Sequence, residues 1–335
     1  MKVLIVNQAE VARLLPMGDC IAAMEGALKA LARGEAMVPL RQVMPLPHGL
    51  GAAAAMPGFS ETLKAIGVKV ISVFPGNRGT DYDSHQGAVL LFEAGHGSLK
   101  AIVDATEVTA IRTAAVSAVA TRALARPNAG DLAILGSGVQ ARTHLDAMFL
   151  VRPIKRVRVW SPTPGHAQMF AEKESRRHAL EVEPMGSARG AVKGADIICT
   201  VTSSREPVLR GEWIEPGAHV NAVGSSVKST RELDTAAVKK SRLFVDARES
   251  ALAEAGDIVM PLAEKAIRED HIRAEIGEVL LGTAEGRKSS REITLFKSLG
   301  LAIEDLAAVH FIYTKAVEQR VGTLVELGGG RHEGG

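Results

Sequence analysis

The chain has 335 residues, of which 46% are hydrophobic and 23% charged, a composition typical of one large or two ordinary globular domains. Its 40 basic and 38 acidic residues give a formal net charge of +2 with no long basic run, which argues against a nucleic-acid partner. No apolar run approaches the roughly 18 residues of a membrane span, and the apolar stretch within 1–7 is too short for a signal peptide.

Cysteine and histidine usage limits the chemistry further. Cys20 and Cys199 are the only cysteines and lie in no metal-binding or CxxC spacing, so we predict two buried free thiols and a reducing, cytoplasmic compartment. The ten histidines form no HxxxH or HxH pair, so we predict no metal site.

The first 113 residues have the pattern of a domain of mixed β and α structure. A helix is predicted to start at a cap on Asp19 and to end at Gly34, because apolar residues recur between them at helical spacing. A glycine-rich loop is predicted at 75–87. The other predicted elements are strands at 67–73, 88–92 and 101–103, and an alanine-rich helix at 105–125 with Asp104 or Thr106 as its cap.

A different pattern begins near residue 131, where short apolar strands alternate with helical stretches. Such continuous apolar strands are typical of a parallel sheet that helices cover on both faces. We therefore predict an α/β fold with a doubly wound parallel sheet, a Rossmann domain, at 114–301. The predicted strands of this domain are 132–135, 157–160, 197–201, 219–223 and 243–245.

The remaining segments complete the predicted domain organisation. The mixed α+β domain comprises 1–113 and 302–325, the latter including a long amphipathic helix at 303–321. The final segment, 326–335, is rich in glycine and is predicted to be a disordered tail.

The most specific motif is Gly136-Ser137-Gly138-Val139-Gln140-Ala141, which has the form GxGxxA between a predicted strand and a predicted helix. In a dinucleotide-binding loop the first glycine allows a tight turn, the second lets the backbone approach the pyrophosphate, and the small last residue lets helix and strand pack closely. In isolation a structural glycine turn explains the motif equally well, but the flanking strand and helix favour dinucleotide binding. The predicted cofactor contacts here are Gly136, Gly138, Val139, Gln140 and Ala141.

The residues that contact the 2′ position of the adenosine ribose lie about 20 positions beyond such a motif. In this chain they are Ser161-Pro162-Thr163. No acid stands there to bind the two ribose hydroxyls of NAD, while the hydroxyls of Ser161 and Thr163, with His166 nearby, suit a 2′-phosphate. The arginine usual for that phosphate is also missing. We predict that NADP(H) is preferred, with NAD(H) as the alternative cofactor and a plain surface turn as the alternative interpretation of this segment.

Two small polar loops follow later strands of the predicted sheet. Thr202-Ser203-Ser204 comes directly after the strand at 197–201, and Gly224-Ser225-Ser226 after the strand at 219–223. Ligands of open α/β sheets lie beyond the carboxyl ends of the strands. The predicted cofactor contacts in these loops are Thr202, Ser203, Gly224 and Ser225.

Taken together, these features are part of a wider pattern, and the chain resembles the ornithine cyclodeaminase and mu-crystallin family over about residues 4–320. The resemblance implies a homodimer with a Rossmann domain and an N-terminal substrate domain whose strands form the dimer interface. We expect the apolar strands around Lys69 and at 88–92 to pair across a two-fold axis. The matching segments are Ser84-His85-Gln86, Ile111-Arg112-Thr113-Ala114-Ala115, Gly136 to Ala141, Pro216-Gly217-Ala218-His219-Val220-Asn221-Ala222-Val223-Gly224 and Phe296-Lys297-Ser298-Leu299-Gly300.

The resemblance also implies roles for individual residues. Arg41, Lys69 and Arg112 are expected to surround the substrate, and Lys69 and Arg112 to be catalytic. Further cofactor contacts are implied at Ser84, His85, Arg112, Thr113, Val223 and Ser298.

One departure from the family pattern separates its branches. Cyclodeaminases carry a catalytic Asp two residues after the glycine that ends the Asn-Ala-Val-Gly stretch, whereas here that place is held by Ser226, which we expect to contact substrate. A hydroxyl cannot manage protons around a departing amine at neutral pH. The departure therefore favours imine reduction, as in the mu-crystallin-like reductases, over ornithine cyclisation.

Each expected side chain has a chemical role and a plainer alternative. Arg112 suits a substrate carboxylate because a guanidinium binds it with two parallel hydrogen bonds, but an arginine at a helix start usually pairs with a surface acid. Two nearby arginines should lower the pKa of Lys69 and suit it to proton donation, but on an alternating strand it is also expected to point outward. His85 fits a proton shuttle, a cofactor contact or a hydrogen bond within a loop. Other acids considered for the cleft are Glu93, Asp104 and Glu254, none of them as the main acid.

The sequence thus predicts an NAD(P)H-dependent reductase of cyclic ketimine carboxylates, such as Δ1-pyrroline-2-carboxylate or Δ1-piperideine-2-carboxylate, that forms L-proline or L-pipecolate. The alternatives are an ornithine cyclodeaminase, an alanine dehydrogenase-like enzyme, and a protein that binds NADP and a small carboxylate without turnover.

Overall fold

The computed structural model describes residues 2–77 and 79–328, which form sixteen β-strands and eleven α-helices. The strands are β1 (Lys2–Val6), β2 (Ala36–Met37), β3 (Gln42–Pro45), β4 (Ala52–Ser60), β5 (Ala65–Val73), β6 (His85–Glu93), β7 (Leu99–Asp104), β8 (Asp131–Leu135), β9 (Arg156–Trp160), β10 (Val182–Pro184), β11 (Ile197–Thr200), β12 (His219–Ala222), β13 (Arg242–Val245), β14 (Ile272–Glu275), β15 (Thr294–Lys297) and β16 (Thr323–Glu326). The helices are α1 (Gln8–Leu14), α2 (Met17–Ala32), α3 (Ala105–Leu124), α4 (Val139–Val151), α5 (Pro164–His178), α6 (Ala188–Val192), α7 (Thr235–Lys240), α8 (Arg248–Glu254), α9 (Gly256–Ala263), α10 (Ile276–Leu281) and α11 (Ala302–Gln319).

The chain divides into two compact units, and the division falls inside helix α3. The first unit runs to Arg112 and resumes at Leu301, while the second unit is Thr113–Gly300. Among the described helices, none combines the length and the apolar character that a bilayer crossing requires.

The first unit is built on an eight-stranded sheet in the order β16-β1-β7-β6-β5-β4-β2, with β3 also paired to β4. Only the β1–β7 pair is parallel. Helix α11 packs closely on β4 and β5 because two glycines face it: a Cβ on Gly58 would lie 3.0 Å from the Cβ of Ala302, and one on Gly67 would lie 3.0 Å from that of Leu306. This close approach brings the first turn of α11 against strand β5.

The first unit differs from the sequence predictions in several details, and its elements β1, β2, β3, β4 and α1 were not predicted. Helix α2 begins after Pro16, whose backbone suits a helix start, so Asp19 lies within the first turn and is not the cap. Residues 85–87 were expected in a loop but start β6, which pairs with β5 along its whole length. Glu326 was expected in the tail but ends β16, which pairs with β1. The rest of that expected tail, from 329 on, lies outside the described residues.

The second unit contains the predicted parallel sheet, in the order β10-β9-β8-β11-β12-β15-β13-β14 with every pair parallel. The α/β class and all five predicted strands are therefore confirmed. Three strands were not predicted: β10 and β14, which are short edge strands, and β15, whose apolar run is interrupted by Thr294 and Lys297. Leu132, Ile134, Val157 and Val220 are fully buried, as expected for a sheet covered on both faces.

Both cysteines are buried free thiols, as predicted. Burial raises the pKa of Cys20 and of Cys199, which keeps both side chains in the protonated, unreactive form.

Candidate active site

The first unit holds four charged side chains that are almost completely buried and paired with one another. Lys69 on β5 places its Nζ 2.7 Å from Oδ2 of Asp305. Arg112 on α3 donates from Nε to Oδ1 of Asp305 at 2.9 Å and from Nη1 to Oε2 of Glu304 at 2.8 Å. None of these four side chains, which we call the charged quartet, is more than 4% exposed. Asp305 therefore joins the two residues that were expected to be catalytic.

The electrostatics of the quartet follow from burial and pairing. Burial lowers the pKa of Lys69 to about 8; Asp305 opposes this shift, and the charges of Arg112 and Arg41 add to it. The expected direction is therefore correct, but desolvation is a larger cause than the two arginines. Burial alone would raise the pKa of Asp305, but the charges of Arg112 and Lys69 and their hydrogen bonds bring it below its usual range. At neutral pH Lys69 and Asp305 thus form an ion pair within the quartet.

Three further predicted residues lie in the same unit. Arg41 is half-buried immediately before β3, and its charge reaches Lys69. The Oγ of Ser84 lies 3.1 Å from Nδ1 of His85, at the start of β6. Partial desolvation and the positive charge of Lys69 lower the pKa of His85, so its imidazole is neutral at pH 7 and able to accept a proton.

Sequence reasoning missed the two acids of the quartet. Glu304 and Asp305 occupy the first turn of α11, where the flanking residues Ala302, Ile303 and Leu306 are all buried. Two adjacent carboxylates inside an otherwise apolar helical run are a usable signal, because buried charges are nearly always paired. The signal identifies buried anions but not their partners, which lie more than 190 positions away along the chain.

The three acids that were considered from the sequence lie outside the charged quartet. Glu93 accepts backbone N–H bonds from the turn at 95–96. Asp104 caps α3 by accepting the N–H of Glu107 at 2.9 Å, as one of the two predicted caps. Glu254 ends α8 in the second unit.

The second unit places the GxGxxA motif between β8 and α4. Gly136 has a φ of +123°, and a Cβ there would lie 2.8 Å from the carbonyl oxygen of Val201. Gly138 is the N-cap of α4, no side chain caps the helix there, and no atom lies within 4 Å of where its Cβ would be. Ala141 is completely buried. A tight turn, an open backbone face and a helix N-terminus without a capping side chain fit the pyrophosphate of a dinucleotide.

The remaining motif residues differ in exposure. Val139 is 57% exposed at the first helical position, and Gln140 is half-buried. At the end of β9, Ser161 is buried, whereas Thr163 and His166 are exposed at the start of α5. Thr113, the first residue of this unit, is buried in α3.

The strand-end loops supply further polar groups. Thr202 is half-buried and Ser203 exposed after β11, while Val223 and Ser226 are half-buried and Gly224 exposed after β12. The Oγ of Ser225 is engaged within its own loop, at 2.6 Å from the carbonyl oxygen of Thr230. Ser298 follows β15 and is 1% exposed, and among the described residues its Oγ has no hydrogen-bond partner. A buried hydroxyl without a partner is costly, which makes Ser298 a fitting contact for a ligand.

One cluster in the second unit has the composition of a metal site. Potential ligand atoms of Asp146, Glu174 and His178 lie within 4.8 Å of one another. The guanidinium of Arg177 lies 2.6 Å from Asp146 and 3.0 Å from Glu174, so the positive charge among these carboxylates is supplied by the protein itself.

A GxGxxA loop that leads into an uncapped helix N-terminus on a doubly wound parallel sheet is typical of NAD(P)-linked oxidoreductases. The model of the ornithine cyclodeaminase/mu-crystallin family matches residues 1–320. The chain belongs to the ornithine cyclodeaminase/mu-crystallin family, which confirms the resemblance seen in the sequence.

Individual relatives agree with this membership. The chain is 41% identical over 280 residues to the ketimine reductase mu-crystallin of Mus musculus, covering 84% of this chain and 85% of that one. The solved structure of Thermococcus litoralis Δ1-pyrroline-2-carboxylate reductase in complex with NADH and L-proline superposes with a TM-score of 0.93 at 41% identity, covering 96% and 99% of the chains. An archaeal alanine dehydrogenase dimer with bound NAD gives a TM-score of 0.92 at 32% identity, covering 97% and 99%.

Proposed function

We propose that the chain reduces cyclic ketimine carboxylates with NAD(P)H, converting Δ1-pyrroline-2-carboxylate or Δ1-piperideine-2-carboxylate into L-proline or L-pipecolate. The observation that carries the proposal is the charged quartet, in which one carboxylate holds a buried lysine beside a buried arginine. The names of the mouse and Thermococcus relatives, a ketimine reductase and a pyrroline-2-carboxylate reductase, support the same reaction.

Arg112 and Arg41 are suited to bind the substrate carboxylate. Glu304 and Asp305 fix the guanidinium plane of Arg112, and a fixed guanidinium recognises a carboxylate through parallel hydrogen bonds. Arg41 adds a second positive charge near Lys69.

Lys69 is suited to be the proton donor. When bound, the reduced cofactor supplies the hydride that adds to the imine carbon. Lys69 Nζ gives a proton to the imine nitrogen as the C=N double bond becomes CH–NH, and then regains a proton from water. A pKa of about 8 leaves the ammonium mostly protonated at pH 7 yet acidic enough to donate. The charge of Lys69 acts on the neutral imidazole of His85, which supports a role for His85 in relaying that returning proton.

We propose that the enzyme binds NADPH at least as tightly as NADH. The support is the end of β9, where Ser161 and Thr163 carry hydroxyls and no acid repels a 2′-phosphate. Ser161→Asp should shift the preference toward NADH, because it places a negative charge against the phosphate. Fluorescence titration of both cofactors tests this, and a clear NADH preference in the unmutated protein contradicts it.

We also propose that the enzyme is a homodimer. On β3 and β5 of the first unit, Val43, Met44 and Val70 are 54%, 61% and 46% exposed, an unusual amount of apolar surface for a solvent-facing sheet. Val89 and Leu91 of β6, also expected at the interface, are already buried within the unit. The archaeal relative, described as a dimer, supports a second copy as the partner.

Light scattering should report twice the 35.4 kDa chain mass. Met44→Glu should lower this mass toward that of one chain, whereas Leu150→Glu, an equally exposed apolar position in the second unit, should not. A single-chain mass for the unmutated protein at micromolar concentration contradicts the proposal.

One assay separates the proposed reaction from its rivals. NADPH loss is followed with Δ1-pyrroline-2-carboxylate and Δ1-piperideine-2-carboxylate, beside ammonia release from ornithine and NADH formation from alanine. We expect NADPH loss with at least one imine. Ammonia release from ornithine would instead show a cyclodeaminase, despite Ser226, and an absence of turnover with every substrate would leave a binding role.

A further inference from the structure

The second unit contains its own buried charged cluster, which has no part in the chemistry described above. Glu232, Asp257 and Lys297 are each 2% exposed or less. Lys297 at the end of β15 lies 3.0 Å from Oδ2 of Asp257 in the first turn of α9. Oδ1 of Asp257 accepts the backbone N–H of Glu232 at 2.8 Å and of Leu233 at 2.9 Å. The lysine and the aspartate therefore fix the backbone that carries Glu232.

The carboxylate of Glu232 connects the ends of two strands. Its Oε1 accepts from the backbone N–H of Thr202 at 2.6 Å and from the hydroxyl of the same residue at 2.7 Å. Its Oε2 accepts from the backbone N–H of Gly224 at 2.7 Å and from the hydroxyl of Thr200 at 2.8 Å. Thr200 ends β11 and Gly224 follows β12, and these strands are neighbours in the parallel sheet.

The carboxyl group of Glu232 accepts all four of these hydrogen bonds. Each of its oxygens receives one backbone N–H and one hydroxyl, so an amide in its place would turn its NH2 group toward a backbone N–H. The space is also closed: a Cβ on Gly224 would lie 2.0 Å from the carbonyl oxygen of Thr202 and 2.6 Å from Oε1 of Glu232. This side chain therefore bridges the two strand ends, beside the backbone bonds from Val223 and Gly224 to the carbonyl oxygen of Thr200.

We propose that Glu232 is a positioning residue for hydride transfer, holding the strand ends at Thr202 and Gly224 in the register that aligns the nicotinamide half of the cofactor. This inference rests on the proposed function, in which these strand ends contact the cofactor. Glu232 itself touches neither substrate nor cofactor. Because hydride transfer depends on ångström-scale alignment, loosening one strand end affects the chemical step more than it affects binding.

Glu232→Gln is the direct test, since it keeps the size of the side chain and forces a donor against the N–H of Thr202 or of Gly224. We expect kcat for imine reduction to fall by about tenfold or more, because reacting groups lose their alignment. The Kd of NADPH should stay within a few-fold, because the GxGxxA loop is left unchanged. The primary isotope effect with 4-deuterated NADPH should rise as hydride transfer becomes rate-limiting.

Asp196→Asn is the matched control. Asp196 also accepts two backbone N–H groups, those of Gly130 and Asp131, but it does so at the amino edge of the same sheet. Its replacement should lower thermal stability while leaving kcat and the isotope effect unchanged. A proportional loss of kcat in both variants, or an unchanged kcat and isotope effect in Glu232→Gln, overturns the proposal.

Two additions keep the test decisive. If Glu232→Gln does not fold, Thr200→Val removes one of the four donors without changing shape, and a smaller kcat loss with the same rise in isotope effect is expected. The fluorescence lifetime of bound NADPH reports how firmly the nicotinamide is held and requires no turnover. A shorter lifetime in Glu232→Gln but not in Asp196→Asn supports the proposal even if the unmutated protein reduces no imine; unchanged lifetimes in both variants overturn it.

Discussion

The two units use different parts of the chain to build their sites. In the second unit the proposed cofactor loop consists mainly of backbone, with Gly136 and Gly138 shaping a turn and an open helix N-terminus within six consecutive residues. In the first unit the site consists of side chains, Lys69 and Arg112 with the acids of α11, which meet only after the chain has folded. A site built from backbone can therefore be predicted from a short sequence motif, whereas a site built from distant side chains cannot.

The two buried ionic clusters differ in the same way. The charged quartet of the first unit pairs two basic with two acidic side chains, so any single substitution leaves a buried polar group with fewer partners. The cluster around Glu232 pairs one lysine with one aspartate, and backbone N–H groups and hydroxyls hold the carboxyl group of Glu232. The first arrangement suits catalysis by side chains, and the second suits the fixing of loops.

The largest effect is expected for Lys69→Met. It removes the proposed proton donor, and loss of general acid catalysis lowers kcat by about 100-fold or more. Asp305 keeps its pairing with Arg112, so the fold should persist. Steady-state kinetics with a cyclic imine measures the change, and Lys100→Met on the neighbouring part of the same sheet is the control. A Lys69→Met enzyme with normal kcat would show that this lysine is structural.

Arg112→Lys should have the next largest effect. The charge is kept but the planar fork is lost, and a desolvated ion pair of this kind contributes about 2–5 kcal/mol, so kcat/KM should fall by about 30-fold, mainly through a higher KM. Titration should show that NADPH binding is largely preserved. Arg122→Lys, at an exposed position on the same helix, serves as control. An unchanged KM would remove Arg112 from the carboxylate site.

Gly138→Ala tests the backbone site. Its φ of −88° is open to alanine and no atom lies near the new Cβ, so thermal stability should hardly change. The added methyl group nevertheless occupies the side from which the pyrophosphate approaches, and NADPH affinity should fall by about tenfold or more. Gly136→Ala should behave differently, because its positive φ and the contact with Val201 make it destabilising. Equal NADPH affinity in Gly138→Ala and the unmutated protein would argue against cofactor binding at this loop.

The contrast between the units also explains how much of the fold was predictable. Continuous apolar strands such as β8 and β11 were recognised because burial on both faces leaves a clear composition signal. The edge strands β10 and β14 lack that signal, since each is short and contains charged or proline residues. The start of β6 was missed because Gly87 favours a loop by local propensity, while pairing with β5 decides the outcome.

How well the site residues could be predicted depended on how far apart they lie in the sequence. The GxGxxA loop was derived from the residues themselves, but Lys69 and Arg112 were expected only through the family resemblance, since their local patterns favour surface roles. Glu304 and Asp305 were missed because no local rule links a helix start to partners nearly 200 positions earlier. Tertiary pairing of buried charges is decided by the packed fold and not by local propensity.

The central claim is that Asp305 holds Lys69 as a buried ammonium that protonates the imine, and the pH profile of kcat/KM tests it most directly. NADPH loss with Δ1-pyrroline-2-carboxylate is measured from pH 6 to 10, a range chosen to span the Lys69 pKa of about 8. The reaction requires the protonated lysine, so the unmutated enzyme should be active at neutral pH and lose activity as the pH rises through about 8. Asp305→Asn removes the charge that raises the pKa of Lys69, so the loss of kcat/KM at alkaline pH should begin at a lower pH. Asp19 is an exposed residue of the same unit, and Asp19→Asn should leave the pH of that loss unchanged. An alkaline limb at the same pH in Asp305→Asn and the unmutated enzyme, or no NADPH loss at any pH, would contradict the account.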